Sequence, residues 1–262
     1  MTASPQTTYD IRPVLQDDDL HVWEHAGQSR RLVACFSGIG VKGKPAPGYE
    51  FARTATQSGR DTVLFFADPQ RSWLNRPGLI EQIVDRMERK ARDINANQIV
   101  TLGHSMGGYS AAIIPGFTKV DTAVCLSPQT SVHPQVVVDD KRWMDYRNDI
   151  THHRIRSVAD HIVPDTQYYV FFGSHGREAP QRDRFPMAAN INFFIMPRTV
   201  HNTPVRLKNM NMLDQVVQSG FGQRTRLVRR LLKTNFSATQ IMKPTKAMQL
   251  RAQEQNAAAS AN

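Results

Sequence analysis

The chain has 262 residues, of which 40% are hydrophobic, and this excludes a disordered or low-complexity protein because such a chain can bury a sizeable core. The formal net charge of +10 excludes an acidic protein and favours anionic partners or substrates. The polar N-terminal residues and the absence of a long apolar run argue against a signal peptide and a transmembrane segment, so we expect a soluble cytoplasmic protein.

Two cysteines, Cys35 and Cys125, each lie inside an apolar run. This position is typical of reduced packing residues and not of a disulfide. No spacing of cysteine and histidine matches a zinc motif. We therefore expect neither a metal ion nor another cofactor.

The first predicted strands lie on either side of the polar segment 15–19 (LQDDD), over residues 8–14 and 20–26. They predict a leading antiparallel hairpin. Six continuous apolar runs follow, and such runs are typical of strands covered on both faces of a parallel sheet. They are 31–37 (RLVACFS), 62–67 (TVLFFA), 98–103 (QIVTLG), 122–127 (TAVCLS), 167–173 (QYYVFFG) and 191–196 (INFFIM). The total is eight strands.

The segments between these runs predict crossover helices. Residues 76–95 place apolar residues on one face and charges on the other, and residues 47–59 end on Gly59. Alternating strands and helices predict one doubly wound α/β domain over residues 1–220, with a mostly parallel eight-stranded sheet flanked by helices.

The connection after the sixth strand, 128–166, is too long to be simple. We interpret 128–152 as a small insertion or lid and 153–161 as a crossover helix. Residues 221–262 are expected to form a basic helical C-terminal extension with a disordered tail from residue 252.

The C-terminal extension carries much of the excess positive charge. One interpretation of these basic residues is the solvated face of a helix, since apolar residues recur there at helical spacing. The other is a site for an anionic partner. No aromatic residues are interleaved as in a nucleic-acid motif. The eight basic residues, among which no acidic one falls, are Arg224, Arg226, Arg229, Arg230, Lys233, Lys243, Lys246 and Arg251.

Ser105 lies in the turn between the fifth predicted strand and a helix that begins with small residues (LGHSMGGYS, 102–110). Gly103 and Gly107 flank it where a sharp strand-to-helix turn brings backbones too close for side chains. In such a turn the serine projects from the sheet as a nucleophile, and the N–H of Met106 points at the oxyanion that forms beside it. Alternatively, the serine is only a small residue that lets the helix start close to the strand.

This G-x-S-x-G turn after the fifth strand resembles the nucleophile turn of the α/β-hydrolase superfamily, and the resemblance covers the chain from the leading hairpin to about residue 220. It implies the α/β-hydrolase fold and a second oxyanion donor after the third strand. The segment Ser37-Gly38-Ile39-Gly40 lies there, with serine where the family often has histidine, and the N–H of Ile39 is the implied donor. An ordinary glycine-containing loop is the alternative.

The family order of serine, acid and histidine implies the remaining catalytic residues. His201 follows the last predicted strand, where the family places the base. The acid is implied between the last two strands, which contain Glu178 and Asp183. We favour Asp183, which precedes the segment leading into the last strand, and keep Glu178 second. Flanking arginines leave open that Asp183 only caps a helix.

These residues predict a serine hydrolase that cleaves a carboxylic ester or thioester through an acyl-enzyme on Ser105. The expected substrate is a small molecule, or the acyl ester of a glycan or lipid. Arg71 and Trp73 after the fourth strand, and Trp143 in the insertion, are candidate substrate-binding residues; simple packing is their alternative role. An acyltransferase with the same triad and a non-catalytic binding protein for an anionic partner remain alternative functions.

Overall fold

The computed structural model describes residues 9–41 and 46–260. Within them, one nine-stranded sheet lies between two layers of helices. The strands are β1 Arg12–Gln16, β2 His21–His25, β3 Arg31–Phe36, β4 Thr62–Ala67, β5 Gln98–His104, β6 Thr122–Leu126, β7 Gln167–Gly173, β8 Ile191–Met196 and β9 Thr239–Ile241.

The strand order is β1-β2-β4-β3-β5-β6-β7-β8-β9. Strands β3 to β8 are parallel, whereas β1 and β2 form an antiparallel hairpin on β4 and β9 pairs antiparallel with β8. From β3 the chain moves first toward β4 and then back across to β5. The loops that leave β3 and β5 therefore diverge at the carboxyl edge, which is where sheets of this kind form a crevice for ligands.

The helices cover both faces of the sheet. The amphipathic helix α2 packs with the fully buried α3 on one face, while α1, α6, α7 and α8 pack on the other. The helices are α1 Ala52–Ala55, α2 Leu79–Asp93, α3 Met106–Ile113, α4 Met144–Arg147, α5 Ala179–Arg182, α6 Thr203–Asn209, α7 Leu213–Phe221, α8 Thr225–Phe236 and α9 Lys246–Ser260. Short 3₁₀ helices cover Ile114–Gly116, Val158–His161 and Gly176–Glu178.

The predicted fold class is confirmed, with one strand more than the eight expected. The predicted start of the first strand, Thr8, lies outside the described residues. The crossover helix predicted over 153–161 is wrong, because the chain forms there only the 3₁₀ helix Val158–His161. Insertion 128–152 contains α4 and otherwise irregular backbone.

The C-terminal segment packs onto the sheet. Helix α8 buries Val228, Leu232 and Phe236 against the core and leaves its basic residues exposed, as expected of an amphipathic helix. Residues 252–260 of the expected tail lie in α9, and residues 261–262 lie outside the described part. A domain boundary at residue 220 and an anionic partner on this face stay predictions. No helix in the described ranges has the length and apolar character needed to cross a bilayer.

Candidate active site

Ser105 occupies a strained turn between β5 and α3. Its backbone has φ 58° and ψ −120°, a conformation that costs an L-residue of order 1–3 kcal/mol and is most often retained at functional sites. The turn is possible because its neighbours lack side chains. A Cβ at Gly103 would lie 2.1 Å from the carbonyl oxygen of Gly107, and a Cβ at Gly107 would lie 2.0 Å from that of Phe36.

His201 lies in the loop after β8, at the same edge of the sheet as Ser105. Its Nε2 is 2.9 Å from the Oγ of Ser105, although 96 residues separate them. The imidazole packs between two rings, with centroid distances of 5.0 Å to His104 and 5.2 Å to Trp143. The ring is thereby held with one nitrogen toward the serine.

The carboxylate at His201 belongs to Glu178, not to Asp183. The Nδ1 of His201 lies 3.1 Å from Oε2 and 3.2 Å from Oε1 of Glu178. Asp183 instead accepts hydrogen bonds from its neighbour Arg182, at 2.7 and 3.2 Å. The preference for Asp183 as the partner of His201 is therefore corrected. The two acids lie five positions apart in the sequence, and Glu178 ends the 3₁₀ helix Gly176–Glu178, which directs its side chain toward the histidine.

This carboxylate also fixes the histidine tautomer. An ionised carboxylate can only accept, so the Nδ1–H of His201 donates to Glu178, and Nε2 is left to accept the hydroxyl proton of Ser105. Burial raises the pKa of Glu178, but the hydrogen bonds and positive charges of His201 and Arg142 outweigh it and leave the pKa below its usual value. Glu178 is thus ionised at neutral pH.

His104, the last residue of β5, directly precedes Ser105. Its Nε2 lies 3.1 Å from the backbone carbonyl oxygen of His201, which ties the loop of His201 to the end of β5. Burial and the nearby His201 lower the pKa of His104 to about 4. His104 is therefore neutral at physiological pH, and its Nε2–H donates to that carbonyl.

The two expected oxyanion donors flank the serine without protein partners. Within the described residues, the N–H groups of Met106 and Ile39 donate to no protein acceptor. The loop carrying Ile39 is held in place by three bonds: Ser37 Oγ donates to the carbonyl of Gly48 at 2.7 Å, Gly38 N–H donates to Glu50 at 3.3 Å, and Arg71 Nε donates to the carbonyl of Ile39 at 3.2 Å.

The three candidate substrate-binding residues occupy different places. Trp143 lines the cleft above Ser105. Arg71 does not line it, but holds the Ile39 loop and stacks on Tyr146 at 5.1 Å. Trp73 is fully buried and donates from Nε1 to Gln129 at 3.1 Å. Only Trp143 therefore has the position expected of a substrate contact.

Gln129 contacts the serine and was missed by sequence reasoning. Its amide nitrogen donates to the Oγ of Ser105 at 3.2 Å, and the bond from Trp73 to its Oε1 fixes the orientation of the amide. Gln129 lies in the irregular insertion, and no motif marks it. Trp73 is thus a buried packing residue, as its alternative role stated, and it is linked to the serine through Gln129.

A cleft of about 1000 Å³ opens above Ser105 and His201, the upper end of the range for small-molecule sites. Its walls come from the loops after β3, β5 and β8 together with α1, α6 and the start of α7. Glu50 lines it, and its carboxylate accepts a hydrogen bond from the N–H of Gly38. Burial raises the pKa of Glu50, and the Gly38 bond only partly offsets this. No sequence motif pointed to Glu50.

No protein-family model matches the sequence, and no curated protein matches it. Solved structures do match. A capsule O-acetyltransferase of Neisseria meningitidis serogroup A aligns at TM-score 0.56 and 13% identity, over 78% of this chain and 92% of its own. The esterase Pf2001 of Pyrococcus furiosus aligns at TM-score 0.51 and 13% identity, over 86% and 96%.

A glycosylation-associated protein complex from Streptococcus agalactiae also aligns at TM-score 0.51 and 14% identity, over 86% of this chain. The present chain spans only 47% of that protein's length. At such identities the similarity concerns the fold. The chain has the α/β-hydrolase fold, as the resemblance of its serine turn implied.

Proposed function

We propose that the protein is a serine hydrolase that cleaves a carboxylic ester or thioester through an acyl-enzyme on Ser105. One observation carries the proposal: the Oγ of Ser105 lies 2.9 Å from Nε2 of His201, whose Nδ1 lies 3.1 Å from the buried Glu178. A nucleophile, a base and a group that orients the base are the three parts that acyl transfer requires.

In the first step His201 takes the hydroxyl proton of Ser105 as the serine oxygen bonds to the acyl carbon. The electron pair of the carbonyl moves to its oxygen and forms an oxyanion. When this intermediate collapses, the bond to the leaving group breaks and His201 returns the proton to that group. The negative charge of Glu178 stabilises the imidazolium between these events.

The oxyanion is stabilised by the N–H groups of Met106 and Ile39. Their freedom from protein acceptors supports this role, as does the position of Met106 at the start of α3, where the helix dipole adds positive potential. One such donor contributes ~3 kcal/mol of transition-state stabilisation. Water then enters, His201 deprotonates it, and the ester on Ser105 is hydrolysed.

Acyl transfer to an alcohol is the second candidate. It uses the same residues and differs only in the acceptor that attacks the acyl-enzyme. The large cleft favours it, because about 1000 Å³ leaves room for an acceptor beside an acyl group. One solved neighbour of the same fold is an O-acetyltransferase.

Labelling with a fluorophosphonate tests the proposal, because the probe reacts only with an activated serine. We expect covalent labelling of the native protein, its loss in Ser105→Ala and a drop of at least ~10³-fold in His201→Ala. Ser110→Ala is the matched control: Ser110 is buried in α3, the helix that follows Ser105, and its hydroxyl donates to the carbonyl of Met106. A native protein that stays unlabelled contradicts the proposal and favours the alternative of a binding protein.

The acyl group and acceptor are identified by a panel of acyl esters and thioesters of increasing chain length. Each is incubated with and without added alcohols, and the acid and the new ester are quantified. Release of acid alone supports the hydrolase. A new ester that forms in preference to the acid assigns the second candidate.

A further inference from the structure

Arg142, in the insertion between β6 and β7, bridges two buried carboxylates. Its Nη1 donates to Oε1 of Glu178 at 2.7 Å, and its Nη2 and Nε donate to the two oxygens of Asp140 at 2.8 Å. The carboxylate side chains are each 2% exposed, and Arg142 is 23% exposed. The cation that contacts the acid of the proposed triad thus comes from the insertion.

The guanidinium is held in place because its partner Asp140 is itself held by other hydrogen bonds. Gln181 donates from Nε2 to Asp140 at 2.9 Å, and its Oε1 accepts the backbone N–H of Thr130 at 2.7 Å. The backbone N–H of Arg142 also donates to Asp140. Such a bidentate, anchored pair gives arginine one orientation that lysine cannot reproduce.

The insertion also reaches the histidine. The guanidinium of Arg142 stacks on Trp143 at 4.5 Å, and Trp143 in turn lies 5.2 Å from the ring of His201. Arg142 and its neighbour therefore contact both members of the Glu178–His201 pair from one side.

We propose that Arg142 is a positioning residue that acts through Glu178: it holds this carboxylate in the orientation that accepts the Nδ1–H of His201, and its positive charge opposes the imidazolium form of His201. The inference rests on the proposed function. Both oxygens of Glu178 lie near Nδ1, and Arg142 engages one of them. Without Arg142 the buried carboxylate of Glu178 would keep His201 as its partner but would be free to rotate.

The sign of the charge effect follows from the groups around His201. The negative charge of Glu178 favours the imidazolium, and the positive charge of Arg142 opposes it. His104, whose ring lies 5.0 Å from that of His201, has a pKa lowered to about 4 and is uncharged at neutral pH. The cleft in front of the ring is also lined by the charged residues Glu50, Arg53, Lys208 and Asp214, which a change at position 142 leaves in place. Loss of Arg142 thus removes one positive charge and makes His201 harder to deprotonate.

The test compares native protein, Arg142→Gln and Arg142→Lys in two measurements. The first is the NMR titration of the His201 imidazole, which needs no turnover. The second is the rate of fluorophosphonate labelling from pH 5 to 9. Arg154→Gln is the control, because Arg154 pairs with the exposed Glu81 and stacks on Phe117, and neither of these residues lines the cleft.

In Arg142→Gln we expect the midpoint of the His201 titration to move upward by about 0.5 to 1 pH unit. The acid limb, the pH range in which the labelling rate rises with pH, should move by the same amount, so that labelling on this limb is ~3- to 10-fold slower than in native protein. Arg142→Lys should restore the native pH of the acid limb because the positive charge returns. Its maximal labelling rate at high pH, the plateau, should stay below the native rate because lysine lacks the bidentate guanidinium that orients Glu178. Arg154→Gln stays native in both measurements.

A titration of His201 that is unchanged in a folded Arg142→Gln variant overturns the inference, whatever happens to the plateau. If that variant does not fold, Arg142→Lys decides: a native plateau overturns the orienting role, and a lowered plateau with a native titration supports it. Failure of the proposed function is distinct, since native protein would then not be labelled while the titrations still report the coupling.

Discussion

Replacing Glu178 by glutamine removes the charge beside His201 while keeping the shape of the side chain. The Nδ1–Oε2 distance is 3.1 Å, and because both charges are delocalised their centres lie roughly 4 Å apart. At an effective dielectric constant of about 20, two unit charges at that separation attract by about 4 kcal/mol. This is the stabilisation that the imidazolium loses in the transition state, which corresponds to a ~10³-fold slower reaction.

The assay is the second-order rate constant for fluorophosphonate labelling, with hydrolysis of p-nitrophenyl acetate measured in parallel. Asp183→Asn is the matched control, since Asp183 is buried, lies five residues away and pairs with Arg182. We expect its rates to stay within about 3-fold of native, whereas its stability falls by roughly 3 kcal/mol because Arg182 loses its buried partner. The reasoning is refuted if Asp183→Asn loses the ~10³-fold instead, or if Glu178→Gln keeps native rates.

Three further predictions concern stability. Gly107→Ala is expected to lose at least ~3 kcal/mol of unfolding free energy in urea, because its Cβ would lie 2.0 Å from the Phe36 carbonyl oxygen. The control is Gly48→Ala, whose Cβ meets nothing within 4 Å and which should unfold like native protein. Equal losses in the two variants would contradict this prediction. The pKa of His104 is lowered to about 4, so the unfolded state binds the extra proton between pH 6.5 and 4. The free energy of unfolding then falls by roughly 2 kcal/mol from pH 7 to 4.5 through this group. His104→Gln should flatten that slope in urea titrations, and an unchanged slope would contradict this. Burial raises the pKa of Glu50 because it penalises the charged form of the carboxyl. Glu50→Gln should therefore raise the thermal midpoint of unfolding at pH 8, and this gain should disappear as the pH falls through the pKa of the native carboxyl. A lower midpoint of the variant at pH 8 would contradict the prediction.

The parallel strands could be predicted from the sequence because each is a continuous apolar run that is buried on both faces. INFFIM, for example, became β8 at the residues expected. The ninth strand could not, since TQI is three residues long, polar at two positions and partly exposed at the edge of the sheet. Its pairing depends on where α8 ends, which only the packed structure fixes.

For the site, the serine and histidine followed from the order of strands and from the turn around Ser105. The choice between Glu178 and Asp183 did not, because both lie in one short segment after β7. A single turn of 3₁₀ helix decides which side chain reaches His201. Gln129 and Arg142 lie in irregular backbone, where neither periodicity nor motif indicates what a side chain will contact.

Strand β9 covers the outer side of β8 with three residue pairs, Phe193 with Ile241, Phe194 with Gln240 and Ile195 with Thr239. Without this cover, β8 would present a row of unpaired amide and carbonyl groups on an apolar strand, which is a template for edge-to-edge association of separate molecules. The short C-terminal strand therefore blocks such association, and we expect a shortened chain that ends after α8 to aggregate more readily even if its site is intact.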